Sequence, residues 1–93
     1  MREKDIEQAL RKAVKANGGM ALKFVSPNLN GVPDRIVLMP GGRMAFVELK
    51  APGQKMRSLQ IKRKRQLEVL GFKVYCIDGL EQIGGFIDEL NKG

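Results

Sequence analysis

Residues 33–50 read PDRIVLMPGGRMAFVELK, two runs of strand-forming residues around Pro40-Gly41-Gly42, and no other stretch restricts the fold as tightly. Apolar and β-branched side chains fill both runs and Pro-Gly-Gly is a turn signal, so the segment is a β-hairpin. Side chains alternate across a strand. On the first strand Asp34, Ile36 and Leu38 share one face, with Arg35, Val37 and Met39 on the other. On the second, Met44, Phe46, Glu48 and Lys50 lie opposite Ala45, Val47 and Leu49. Both faces are mostly apolar, which fits central strands covered by helices on two sides. A three-residue loop pairs Met39 with Arg43 and sets Asp34 directly across from Glu48; one residue more or less moves the acids to a diagonal. Asp34, Glu48 and Lys50 thus gather at the end of the sheet away from the turn. Charge in such a place costs free energy unless something compensates it.

The rest of the chain supplies the layers around this hairpin. Ile6, Leu10, Ala13 and Val14 recur at helical spacing, predicting a helix over residues 3–17 that stops at Gly18-Gly19. MALKFV (20–25) has strand composition, SPNLNGVP (26–33) is a turn-rich loop, and APGQKMR (51–57) is a basic connection. Ser58 is placed to cap a second helix that runs to Leu70 and ends at Gly71. KVYCI (73–77) is a fourth strand, and LEQIGGFIDEL (80–90) a last short helix weakened by Gly84 and Gly85. The order α-β-β-β-α-β-α, with no repeat or linker, describes one α/β domain over residues 1–93.

Composition narrows the chemistry. The chain has no histidine, which excludes His-dependent triads, His–metal sites and nucleases with a His general base. Cys76 is the only cysteine, so neither an internal disulfide nor a Cys-based zinc site is available, and within VYCI it reads as a small core residue. The first ten residues lack an apolar signal core, and no run approaches membrane-spanning length. These features point to a reducing, cytoplasmic setting with no membrane partner. Seventeen basic against ten acidic residues give a net charge of +7. That favours a polyanionic partner, nucleic acid first, because phosphate neutralisation supplies most non-specific affinity. A merely soluble basic protein fits the charge as well.

Two carboxylates facing each other on a sheet repel, so either one is protonated or a cation sits between them. Hard divalent ions such as Mg²⁺ take all-oxygen sites completed by water and phosphate oxygens. Lys50, on the same side, is placed to orient a water or to stabilise a pentavalent phosphate. The plainer alternative makes Glu48 and Lys50 an exposed strand-end ion pair and Asp34 the start of a turn.

Pro33-Asp34 followed by Glu48-Leu49-Lys50 resembles the signature of the PD-(D/E)XK nuclease superfamily. GVPDRIVL, FVELK and the LQ that opens a basic helix resemble more specifically its VRR-NUC domain, over nearly the whole chain. The resemblance implies a restriction-endonuclease-like core with a central mixed four-stranded sheet flanked by helices. It implies Asp34 and Glu48 as metal ligands with the Leu49 carbonyl as a third, and Mg²⁺ as cofactor with Mn²⁺ as substitute. Lys50 becomes the catalytic lysine and Gln60 the glutamine that faces the site. The family's acid on the first helix falls on Glu7, at the edge of the Ile6/Leu10/Val14 face, with Glu3 as its rival.

KRKR (62–65) places positive charge around the second helix, and Lys55 and Arg57 precede it. Most of such a run is a solvated helix face. Arg63, between Leu59 and Leu70, either packs its stem there or joins Lys64 in offering charge to a phosphate. Lys23 and Arg35 are further phosphate-contact candidates. Without Trp, and with its few aromatics in core-like runs, the chain lacks a stacking platform, so backbone and shape dominate recognition. The resulting expectation is a Mg²⁺-dependent endonuclease. Its likeness to stand-alone phage and bacterial junction resolvases adds branched, four-way DNA as substrate and a homodimer as the working form. The competing expectation is a basic nucleic-acid-binding module that does not cut, or a subunit of a larger nuclease assembly.

Overall fold

A computed structural model describes residues 1–92 of the chain. The elements run α1 (Glu3–Ala16), β1 (Met20–Lys23), β2 (Arg35–Met39), β3 (Arg43–Leu49), α2 (Ser58–Val69), β4 (Val74–Ile77) and α3 (Ile83–Asn91). One mixed sheet carries the strands in the order β1-β2-β3-β4. The first three form an antiparallel meander, and β4 lies parallel to β3 after the crossover through α2. The expected element order and sheet are those observed. Among the described residues no helix is long and apolar enough to cross a membrane.

The turn of the hairpin is a single 3₁₀ turn over Pro40–Gly42. Gly41 and Gly42 take φ of 83° and 76°, a region that side-chain-bearing residues avoid, which is why the sequence carries Gly-Gly there. Three loop residues pair Met39 with Arg43, and the ladder continues to Arg35 opposite Val47. One further step sets Asp34 across from Glu48.

Ile6, Leu10 and Val14 of α1 are wholly buried against Val37, Ala45, Val47 and Leu49, and α3 adds Ile83, Phe86, Ile87 and Leu90 to the same core. α1 ends in paired Gly18 N–H→Lys15 O and Gly19 N–H→Val14 O bonds, which satisfy carbonyls the last turn leaves open. Gly84 and Gly85 do not interrupt α3, because its four buried side chains outweigh two poor helix formers.

The opposite face of the sheet is thinner. Phe46 meets Phe24 and Phe72 there, with ring centroids 5.7 and 5.8 Å apart. Helices on both faces are the expectation for such strands, yet no residue of α2 is buried here, and Val69 and Leu70 are 86% and 72% exposed. Its apolar side chains point in several directions around the axis, so no orientation buries them together. Ser58 is also not its cap. Arg57 precedes the first turn, and Gln60 closes it by accepting the Arg57 N–H at 2.8 Å. The 26–33 loop docks on α2 through close contact of Gly31 with Leu59; a Cβ at Gly31 would lie 2.7 Å from Leu59 Cγ. Arg63 ties the same loop down by donating to the Asn30 carbonyl at 2.8 Å. The loop thereby delivers Pro33 and Asp34 to the mouth of the sheet.

Candidate active site

Asp34 stands one residue before β2 and is held through its main chain and its side chain alike. Its carbonyl accepts the Phe24 N–H and the Arg35 guanidinium, each at 2.9 Å. Its carboxylate accepts the Leu49 N–H at 3.3 Å, a bond from the far side of the hairpin. Glu48 lies on β3 between two neighbouring strands, opposite Cys76 of β4, and is only 4% exposed. Two donors converge on its Oε2, Gln60 Nε2 at 2.9 Å and Lys50 Nζ at 3.5 Å. Lys50 is itself largely buried and anchored by its N–H to the Ile77 carbonyl at 3.0 Å.

Gln60 uses both ends of its amide, the oxygen capping α2 and the nitrogen binding Glu48. The start of the crossover helix is therefore locked to the buried acid. No buried side-chain nitrogen or oxygen among the described residues lacks a partner.

Burial pushes the Asp34 carboxyl above the usual carboxylate range, against the Leu49 hydrogen bond and the Arg35 charge that favour the ionised form. Burial also pushes up Glu48, and the neighbouring Asp34 charge pushes it further, while Lys50 opposes both. One cation, Lys50, faces two carboxylates, leaving a net negative site that favours a further positive charge. Among the described residues there is no cluster of three or more His, Cys, Asp or Glu side chains suited to a metal. A metal held here would draw on two carboxylates, a main-chain carbonyl and oxygens from solvent or substrate. Cys76, half-buried on the same face, has its thiol pushed up by burial and then by the acids around it, the opposite of an activated thiolate.

The remaining candidates scatter. Glu7 forms ion pairs with Arg35 and Arg11 on the α1 side of the sheet. The α1 acid whose charge acts on Asp34 is Glu3. Arg35, expected to meet a phosphate, is 12% exposed and spends its guanidinium on Glu7 and the Asp34 carbonyl. Alternation carries the signal for this, since Arg35 shares its face with Val37 and Met39 and so looks toward α1. Arg63 is engaged by Asn30 and Gln66, and Lys64 pairs with Glu68 at 2.9 Å. Lys23, Lys55 and Arg57 are exposed and have no acidic partner within 4 Å among the described residues.

Fold and site together define the class, a small α/β domain with paired acids and a lysine at the open end of a mixed sheet. A solved structure described as a VRR_NUC domain superposes with a TM-score of 0.86, covering 92% of this chain and 94% of that one at 24% identity. No family model matches the chain. "Putative nuclease p44" from Acyrthosiphon pisum secondary endosymbiont phage 1 is 46% identical over 78 residues, 84% of either chain. The chain belongs to the nuclease family of that phage protein and has the VRR-NUC fold.

Proposed function

We propose that this protein is a Mg²⁺-dependent endonuclease that hydrolyses phosphodiester bonds in branched DNA, four-way junctions in particular, and acts as a homodimer. The observation that carries the reading is the facing pair Asp34 and Glu48, both resistant to ionisation, with Lys50 beside them and Gln60 fixing Glu48. A hard divalent cation fits this donor set, because it offers only oxygen and a second positive charge relieves the carboxylate repulsion. Asp34, Glu48 and the Leu49 carbonyl would hold it. When bound, Mg²⁺ lowers the pKa of a coordinated water and neutralises charge on the phosphate.

The chain's own groups do the rest. Leu49 N–H keeps the Asp34 carboxylate at the mouth of the sheet. Gln60 and Lys50 occupy one oxygen of Glu48, so its other oxygen faces the metal side. Lys50 orients the attacking water and stabilises the negative charge that grows on the phosphoryl oxygens as the new P–O bond forms and the opposite one breaks. The exposed Lys23, Lys55 and Arg57 neutralise flanking phosphates, a task that needs charge and no base contact.

The homodimer reading draws on α2. Leu29, Val32, Leu67, Val69 and Leu70, rimmed by Arg63, Arg65 and Gln66, line an open and largely apolar groove of about 530 Å³. A second copy covering it would present two sites to a two-fold-symmetric junction. Sedimentation of the wild type and of L70E tests this, with a dimer expected to become a monomer. The activity is tested by incubating the protein with linear duplex, flap and four-way-junction DNA, with and without Mg²⁺ or Mn²⁺. Metal-dependent cutting of the junction is expected. Mg²⁺-independent binding without nicking would refute the enzyme reading and leave a non-cleaving binding module.

A further inference from the structure

Arg35 and Glu7 form the one ion pair that joins a helix to the sheet among the described residues. The Arg35 guanidinium is a fork with two fixed arms. Nη1 donates to the Asp34 carbonyl at 2.9 Å, and Nη2 reaches the Glu7 carboxylate. Its side chain is 12% exposed, against 65% for Arg11, the other cation on Glu7. Glu7 sits next to Ile6 and one turn before Leu10, both wholly buried, so it is carried on the most firmly packed part of α1. The Asp34 carbonyl also accepts the Phe24 N–H. Two donors, one from the main chain beyond β1 and one from the Arg35 side chain, therefore pin the peptide that joins Asp34 to β2. Asp34 itself lies one residue before the first ladder pair of β2, and Arg35 is the side chain that adds to the main-chain bonds holding it there.

We propose that Arg35, held in place by Glu7, is a positioning residue that aims the Asp34 carboxylate at the metal. The proposal rests on the active-site reading above and adds a role that touches neither metal nor DNA. Partners that orient a ligand from behind commonly set metal affinity, and their loss weakens binding by about 10–100-fold. A lysine keeps the charge but is a single point donor, so it reaches one of the two partners at a time.

The test is Mn²⁺ binding to the protein alone, followed by calorimetry or electron paramagnetic resonance, beside junction binding in EDTA and far-ultraviolet circular dichroism. R35Q is expected to fold, to bind junction DNA in EDTA as the wild type does, and to bind Mn²⁺ about tenfold more weakly. R35K is expected to recover part of that loss. E7Q, which keeps an acceptor but loses the charge, is expected to weaken Mn²⁺ binding several-fold, and R35Q/E7Q to be no worse than R35Q. E7Q serves as the deciding variant should R35Q fail to fold. Wild-type Mn²⁺ affinity in either folded variant would overturn the proposal. So would loss of DNA binding by R35Q in EDTA, which would make Arg35 a phosphate contact. An unsubstituted protein that binds no Mn²⁺ would instead bring down the metal site itself, and the proposal with it.

Discussion

Replacing Asp34 by Asn should inactivate the protein and, without metal, make it more stable. Directly opposed strand residues have Cβ atoms about 5 Å apart, and two carboxylate charges at that separation repel by about 3 kcal/mol at an effective dielectric of about 20. Lys50, 3.5 Å from Glu48, cancels much of this, and Asp34 is only half-buried, leaving about 1–2 kcal/mol. Asn keeps an oxygen to accept the Leu49 N–H, so the substitution removes charge without orphaning a donor. Both carboxyls are raised in the folded chain, so the folded state binds more protons than the unfolded one as pH rises from the ordinary carboxylate range. Stability is full below that range and falls as pH climbs through the raised values.

D34N therefore gains most at pH 8, and its advantage shrinks toward pH 4. A domain of this size shifts its Tm by about 4–8 °C per kcal/mol, so a rise of about 4–16 °C is expected in EDTA at pH 8. Mn²⁺ at a hundred times its dissociation constant adds about 2.7 kcal/mol to the wild type and nothing to D34N, reversing their order. Thermal unfolding by circular dichroism in both conditions measures this. A D34N that is less stable than wild type in EDTA at pH 8, or that gains equally from Mn²⁺, would refute the reasoning.

K50A should cut junction DNA about 10²–10⁴-fold more slowly while still binding it, as read by single-turnover kinetics and gel shift; unchanged cutting would remove Lys50 from the mechanism. Q60A removes one of the two donors on Glu48 Oε2 and uncaps α2, so it should cost about 1 kcal/mol in urea unfolding and lower the cleavage rate together. L10A empties a fully buried position between α1 and the sheet and should cost about 2–5 kcal/mol by the same urea titration, with Mn²⁺ affinity unchanged in the folded fraction.

Local pattern determined a large part of this protein. Pro40-Gly41-Gly42 sets a three-residue turn, and strand alternation then carries Asp34, Ile36 and Leu38 to one face and brings Asp34 opposite Glu48. Helical spacing selects Ile6, Leu10 and Val14 as the buried stripe of α1. These follow from sequence because a turn and a side-chain period act over a few residues, and the hydrophobic pattern agrees with them.

Tertiary structure alone decided where the long polar side chains went. Arg35 and Glu7 are 28 residues apart, and no local rule pairs them; only the seating of α1 on β2 turns an expected phosphate contact and an expected catalytic acid into one ion pair. Gln60 reaches Glu48 because the crossover returns α2 to the mouth of the sheet, twelve residues later in the chain. The exposure of Val69 and Leu70 was equally illegible, since whether an apolar residue is covered depends on what packs against it. Flexible side chains with several possible partners are assigned by the fold that surrounds them, whereas strand faces and tight turns are set by the chain itself.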